Sequence, residues 1–238
     1  MKTLVTLGAC LVSLAIVSQA QAQQSVPSVS SIRVTGTAVV AANPDRALVD
    51  VGVVTQSPQS QTAVSQNART FDAVLAALRK SLGAKADIKT IGYTLNPDYQ
   101  YRVSGSQPTI SGYTATNVVR VTLDDLGKIG DVIDTATQSG ANRVPSIQFA
   151  LRDEQSVRGQ ALRDAALRAR AEADSLAAAL GLKVTRILTV EEGGPVAVPI
   201  REVMFARAEA SSSATPVKPG TIDVNATVVL TVEVTGGR

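Results

Sequence analysis

Histidine and tryptophan are absent from this chain of 238 residues, and cysteine occurs once, at Cys10. Each absence removes chemistry. Without histidine, neither a Ser–His–Asp nor a Cys–His nucleophile can be assembled. With no histidine and a single thiol, a zinc, copper or haem site of the usual nitrogen and sulfur type cannot be completed. An all-oxygen calcium or magnesium site stays open, although no D-x-[DN]-x-[DN]-G loop supports one. No cofactor is therefore expected. Methionine is limited to Met1 and Met204, and phenylalanine to Phe71, Phe149 and Phe205.

What aromatic content remains is concentrated. All four tyrosines, Tyr93, Tyr99, Tyr101 and Tyr113, fall in one stretch of 21 residues. Aromatic side chains anchor cores and interfaces. A chain this poor in them marks the segment IGYTLNPDYQYRVSGSQPTISGYTATN as a place of specific packing or recognition.

One apolar run stands out, at the start. Lys2 followed by Thr3 to Val17 and then Ala20-Gln21-Ala22 has the charge, core and small-residue cleavage pattern of an export signal. The run is shorter than the roughly 20 residues of a membrane-spanning helix. Residues 1–22 are thus expected to be a signal peptide. Leu7-Gly8-Ala9-Cys10 loosely resembles a lipoprotein box, but a cut before Cys10 would leave half the apolar run on the mature chain. Cleavage after Ala22 removes Lys2 and Cys10, leaving 22 basic against 20 acidic residues. The mature chain then forms no disulfide, and so small an excess of positive charge gives no reason to expect a nucleic-acid partner. No later segment approaches transmembrane length.

Residues 23–30 form a polar leader. Ser31 to Val40 and Arg46 to Thr55, separated by Asn43-Pro44-Asp45, read as a β-hairpin. A helix follows Ser57-Pro58 with Val64, Ala68, Phe71, Leu75, Leu78 and Leu82 on its inward face, ending at Gly83. Asp87 to Arg102 and Pro108 to Leu123 form a longer hairpin, in which Tyr99 and Tyr113 are expected to lie close across the ladder. Pro97 suggests an edge or a bulge. Asp124-Asp125 opens a second helix, closed by Gly140; acidic residues there are read as caps in preference to a catalytic pair. Arg143 to Leu151 is a short strand. Asp153-Glu154 opens a third helix with Leu162, Ala166, Ala169, Ala173, Leu176 and Leu180 inward, closed by Gly181. Its arginines interleave with Asp164, Glu172 and Asp174 in i, i+4 pairs, which describes a solvated face. Leu182 to Val190 is a strand, a long irregular stretch covers about 193–219, and Thr221 to Val234 alternates as a final strand.

The order β-β-α-β-β-α-β-α-β-β predicts an α+β fold, helices on mixed or antiparallel sheets, in two intertwined halves. One half is expected from about 31–107 plus 193–238, and a ferredoxin-like half from about 108–192.

These residues resemble the SIMPL-domain family of exported bacterial proteins. The resemblance runs from Val34-x-Gly36-x-Ala38 and Asp45-x-Ala47, through Asn67, Ile88-x-Thr90, Tyr93, Pro97, Tyr99 and Tyr101, to Gly112-Tyr113-x-Ala115-x-Asn117. It continues in Asp125-Leu126-x-x-Ile129-Gly130, Gly140-Ala141-Asn142, the alanine-rich third helix and Pro219-Gly220. It identifies residues 31–238 as a SIMPL domain. It implies a periplasmic or outer-membrane-associated protein, with relatives linked to oxidative-stress defence, to immunogenicity and to large ring- or channel-like assemblies. No catalytic residue or cofactor follows from it.

The leading expectation is a non-enzymatic envelope protein that forms a homo-oligomer, with a further envelope partner allowed. The tyrosine hairpin and the alanine face of the third helix are its expected contact surfaces, and any antioxidant effect is indirect because no recyclable thiol remains. A second reading is a binding module for a peptide, glycan or small ligand, using the long loop and the hairpin tip. A third is a hydrolase using two of Asp98, Asp125, Glu191 and Glu192.

Overall fold

The computed structural model describes residues 29–100, 107–194 and 219–236. Its elements are β1 (Ser31–Ala42), β2 (Arg46–Ser57), α1 (Ser60–Leu82), β3 (Asp87–Gln100) and β4 (Thr109–Leu123), then a 3-10 turn (Leu126–Lys128) leading into α2 (Ile129–Gln138). β5 (Arg143–Ala150), α3 (Glu154–Ala179), β6 (Leu182–Glu192) and β7 (Ile222–Gly236) complete the order. This is the α+β succession expected from the sequence. Gly83, Gly140 and Gly181, each just beyond a helix, adopt φ of 90°, 110° and 70°, where a β-carbon would be strained.

The first strand pair corrects the local reading. β1 and β2 do not pair with each other. β1 runs antiparallel to β7, while β2 lies between β4 and β5. The burial patterns carry the reason. β1 alternates exposed and buried positions from Arg33 to Val39, as a strand covered on one face does, whereas β2 is buried continuously from Val49 to Val53. So apolar a strand belongs in the middle of a sheet. Asn43-Pro44-Asp45 is therefore a passage between two sheets.

Those sheets have the orders β3-β4-β2-β5 and β1-β7-β6. The four-stranded sheet with α1 and α2 is a split βαβ unit, β2-α1-β3-β4-α2-β5, with every neighbouring pair antiparallel. The ferredoxin-like unit thus spans Arg46–Ala150, and strand pairing divides the chain along different lines from the expected 108–192. The second unit joins β1 to α3, β6 and β7, so the chain begins in it, leaves it and returns. Each buried core cluster draws on one unit alone.

In the first unit, Phe71, Val74 and Leu78 of α1 and Val132 and Ala136 of α2 pack on Val49, Val51, Val119 and Val121. Fully burying one such side chain contributes about 1.5–3 kcal/mol. The α1 face is rotated slightly from the expected one, with Ala63 and Asn67 buried where Val64 and Ala68 were expected inward. Asn67, fully buried, donates from Nδ2 to the carbonyls of Val53 (2.9 Å) and Ala115 (3.0 Å), tying the helix to two strands. Asn67→Ala is expected to cost about 2 kcal/mol from two lost buried hydrogen bonds, read as a lower urea midpoint. Asn67→Asp should cost more, since it sets a carboxylate against two carbonyl oxygens. Equal losses would show that the bonds are not what Asn67 supplies.

In the second unit, Ala161, Ala165, Ala169, Ala173 and Ala177 form the buried stripe of α3. They lie against β1 and β7, where Gly36 and Ala38 give the helix its closest approach. The expected inward face is shifted here too: Leu176 and Leu180 are exposed. The spacing under the helix admits alanine and excludes leucine. The alanine face is consequently spent on the protein's own sheet and is not available as an assembly surface.

Candidate functional site

β3 and β4 form the long hairpin that carries the tyrosines. Tyr93 stands opposite Asn117, Tyr113 opposite Pro97, and Tyr99 opposite Ile110. Register shifts between Thr90 and Gly92 and between Asp98 and Tyr99 break the ladder. Tyr99 and Tyr113 are not directly opposed: the continuous ladder already sets Tyr113 against Pro97, and beyond it the extra residue, Ser111, carries Tyr99 opposite Ile110. Tyr101 lies outside the described residues.

Among the described residues β3 pairs only with β4, which leaves its other edge without a strand partner there. Along this hairpin Tyr93 is 51% exposed, Tyr99 54%, Ile91 46% and Ile110 51%, while Leu95 is exposed and Tyr113 half-buried. A strand edge flanked by large apolar side chains is a ready surface for association. The bulges and Pro97 restrict backbone pairing there, which leaves contact by side chains.

At the second bulge the hairpin passes the turn between β2 and α1. A shallow depression of about 290 Å³ is lined there by Gln56, Ser57, Pro58, Asp98, Ser111 and Gly112. The Thr114 hydroxyl lies 2.9 and 2.8 Å from the two Asp98 carboxylate oxygens, and Ser111 Oγ donates to the Asp98 carbonyl at 3.0 Å.

The other candidate carboxylates are scattered. Asp125 Oδ1 accepts from the Gly127 amide at 3.0 Å and caps the 3-10 turn, as its position before a helix suggested. Glu191 pairs with Arg33 at 3.4 Å and Glu192 makes a close ion pair with Arg158, both at the end of β6 in the second unit. Asp98, Asp125 and the two glutamates thus occupy separate elements, each with its own partner. Among the described residues no group of three or more acidic, histidine or cysteine side chains is placed to hold a metal.

Two polar clusters escaped the sequence reading. Asp50, in the middle of β2 and 5% exposed, accepts from Arg120 Nε (2.7 Å) and Nη2 (2.9 Å) and from Ser146 Oγ (2.8 Å). The Arg120 hydrogen bond holds the Asp50 carboxyl below the ordinary carboxylate range, against the opposing effect of burial and with help from Ser146. An aspartate interrupting VDVGVV was the available signal, but its partners lie on other strands. The second cluster marks the passage between the units. Asp124 accepts from Arg46 Nε at 2.8 Å with Arg152 Nε at 3.7 Å, and Asp45 Oδ1 accepts from the Arg152 amide at 2.7 Å. Both clusters are satisfied within the chain and read as structural.

The sequence is similar to that of known proteins over most of its length. Residues 32–232 match the model of a family described as SIMPL, Protein of unknown function (DUF541). The 26 kDa periplasmic immunogenic protein of Brucella melitensis is 27% identical over 90% of this chain and 89% of its own length. Uncharacterized protein YggE of Escherichia coli K12 is 29% identical over 72% of this chain and 68% of its own, and its Edwardsiella ictaluri counterpart is 27% identical over 69% of each.

Proposed function

The chain belongs to the SIMPL family, and from that premise we propose that it is an exported, non-enzymatic envelope protein that associates with itself through the β3–β4 hairpin. The observation that carries this reading is the run of exposed Ile91, Tyr93, Leu95, Tyr99 and Ile110 beside a strand edge that has no strand partner among the described residues. Tyrosine supplies large apolar area with little entropy to lose, which suits an interface anchor.

A periplasmic location is supported by the signal-like residues 1–22, by the name of the Brucella relative, and by the absence of any membrane-length apolar helix among the described residues. Association with the outer membrane would come through a partner or the assembly. The separation of the acidic candidates favours a binding or assembly role over hydrolysis. Any part in oxidative-stress resistance is indirect, through envelope integrity. Catalytic consumption of peroxide by the purified, metal-free protein would refute that.

The test is mass in solution as a function of concentration. The protein spanning residues 23–238 is expected to scatter light as a multiple of its single-chain mass. Tyr93→Lys with Leu95→Lys should return it to single chains with unchanged circular dichroism, because both side chains are exposed in the free protein. A monomer at every concentration, or an oligomer indifferent to both substitutions, would reject the hairpin as the contact.

A further inference from the structure

Four strands form the edges of the two sheets, and β1 differs from the other three. β3 carries two register shifts and Pro97, β5 a register shift against β2 and Pro145, and β6 two register shifts. Such breaks keep an edge from templating another strand. β1 holds one continuous register with β7 from Ser31 to Ala42, contains no proline, and has Arg33 as its single charged residue. Among the described residues its outer edge has no strand partner.

The hydrogen bonds show which groups that edge presents. The Val234 amide donates to the Ser30 carbonyl at 2.9 Å. Bonded and non-bonded pairs alternate along an antiparallel ladder, so Ile32, Val34, Gly36 and Ala38 turn their N–H and C=O groups toward β7. Ser31, Arg33, Thr35, Thr37, Val39 and Ala41 turn theirs outward. Arg168 of α3 reaches one of these groups, donating from Nη1 to the Thr37 carbonyl at 2.9 Å. A carbonyl oxygen has two lone pairs, so that bond leaves room for a second donor. The side chains of the outward residues are exposed, on the face away from α3.

We propose that this edge pairs antiparallel with β1 of a second copy of the chain, joining two three-stranded sheets into one. The strand itself argues for that occupant. Its outward residues are centred on Gly36, so a two-fold axis there engages all of them. The axis sets Thr35 opposite Thr37 of the second copy, Arg33 opposite Val39, and Ser31 opposite Ala41. Threonine pairs are favourable across strands, and like charges stay apart because Arg33 does not face Arg33. Glu191 of the same chain pairs with Arg33 at 3.4 Å. A lone strand pair is marginal in water, so the edge closes only between copies that the β3–β4 hairpin already holds at high effective concentration. The proposal rests on the hairpin reading and adds a second contact to it, made by backbone instead of side chains.

The test compares the protein spanning residues 23–238 with its single-chain Tyr93→Lys, Leu95→Lys form by amide hydrogen exchange at residue resolution. The Thr35, Thr37 and Val39 amides are expected to exchange at least about tenfold more slowly in the assembly. Equal rates would overturn the pairing, whether fast, with the edge open in both, or slow, with the chain's own residues covering it. Thr37→Pro removes an outward N–H and no bond to β7. It should lower the scattered mass at least about twofold, to a species still heavier than a single chain, with circular dichroism unchanged. A Thr37→Pro protein as heavy as the parent would overturn the pairing. The exchange comparison leaves β1 unaltered, so it decides the matter even where Thr37→Pro misfolds. Failure of the hairpin reads differently. Mass unchanged by Tyr93→Lys with Leu95→Lys, but reduced to single chains by Thr37→Pro, rejects the hairpin and keeps this edge. A parent that is a monomer at every concentration overturns both.

Discussion

Gly36→Val is expected to unfold the second unit or to leave it marginal. A β-carbon at Gly36 would lie 2.1 Å from the Ala165 carbonyl oxygen, 2.5 Å from the Ala169 amide nitrogen and 2.8 Å from the Ala169 β-carbon. Two of these are backbone atoms of α3, so no rotamer change relieves the clash. The helix would have to lift from β1 along its length, losing the packing of Ala165, Ala169 and Ala173 against Val34, Ala38 and the strand beside them. Overpacking a well-filled core costs typically about 1–3 kcal/mol, and a clash with helix backbone belongs at or above the upper end. Gly36→Ala should show a smaller loss of the same kind. Gly92, in β3, is the control: a β-carbon there meets nothing within 4 Å, and Gly92→Ala should change stability by less than about 0.5 kcal/mol. Guanidinium unfolding followed by circular dichroism compares the three. A Gly36→Val protein within about 1 kcal/mol of the parent would mean that α3 does not approach β1 so closely.

Loss of the Asp50 carboxylate is expected to be the largest electrostatic effect. Asp50→Ala leaves Arg120 without its two-pronged acceptor and Ser146 without its bond. Removing one partner of a buried pair costs about 3–5 kcal/mol. The Arg120 side chain retains 33% exposure, so solvent recovers part of that and about 2–3 kcal/mol is expected. Asp50→Leu combined with Arg120→Leu should regain much of the loss, since a packed apolar pair leaves no unpaired charge. If the double variant were no better than Asp50→Ala, packing around β2 would be the cause.

The same pair sets an acid response. The folded-state carboxyl of Asp50 titrates below its ordinary value because Arg120 bonds the charged form. Its contribution is therefore complete above the unfolded value near pH 4. It declines as pH falls below that value and is gone once the folded carboxyl has itself taken up a proton. Asp124 and Asp87 are lowered in the same direction by Arg46 and Lys89, but at the surface, where salt screens them. Asp50→Asn should flatten the fall in unfolding free energy below pH 4, and high salt should not reproduce that flattening. An unchanged slope would refute the assignment.

Asp50 and Asn67 also show where local reading stops. Both are polar residues inside apolar patterns, and periodicity takes such positions as interruptions. Their roles depend on Arg120 and Ser146 across the sheet and on two carbonyls under α1, which no spacing along the chain reveals. The candidate surface divides the same way. The concentration of tyrosine was plain in the sequence, whereas exposure of Tyr93 and Tyr99, the bulge that sets Tyr99 against Ile110, and the opening beside Asp98 required the paired strands.

The sequence by itself determined the order of ten elements, the helix ends at Gly83, Gly140 and Gly181, the β3–β4 hairpin, and the exclusion of histidine chemistry. These follow from local physics: side-chain period, the backbone freedom of glycine, and the identity of the available nucleophiles. Only the tertiary structure decided that β1 belongs with β7, that the ferredoxin-like unit begins at Arg46, and that the alanine stripe is buried on its own sheet. Asn43-Pro44-Asp45 turns the chain equally well into a hairpin or out to another sheet. What separates the outcomes is burial: β2 is buried at every position from Val49 to Val53, Asp50 included, and lies between β4 and β5, whereas β1 with Gly36 accepts a helix against one face and leaves the other in water.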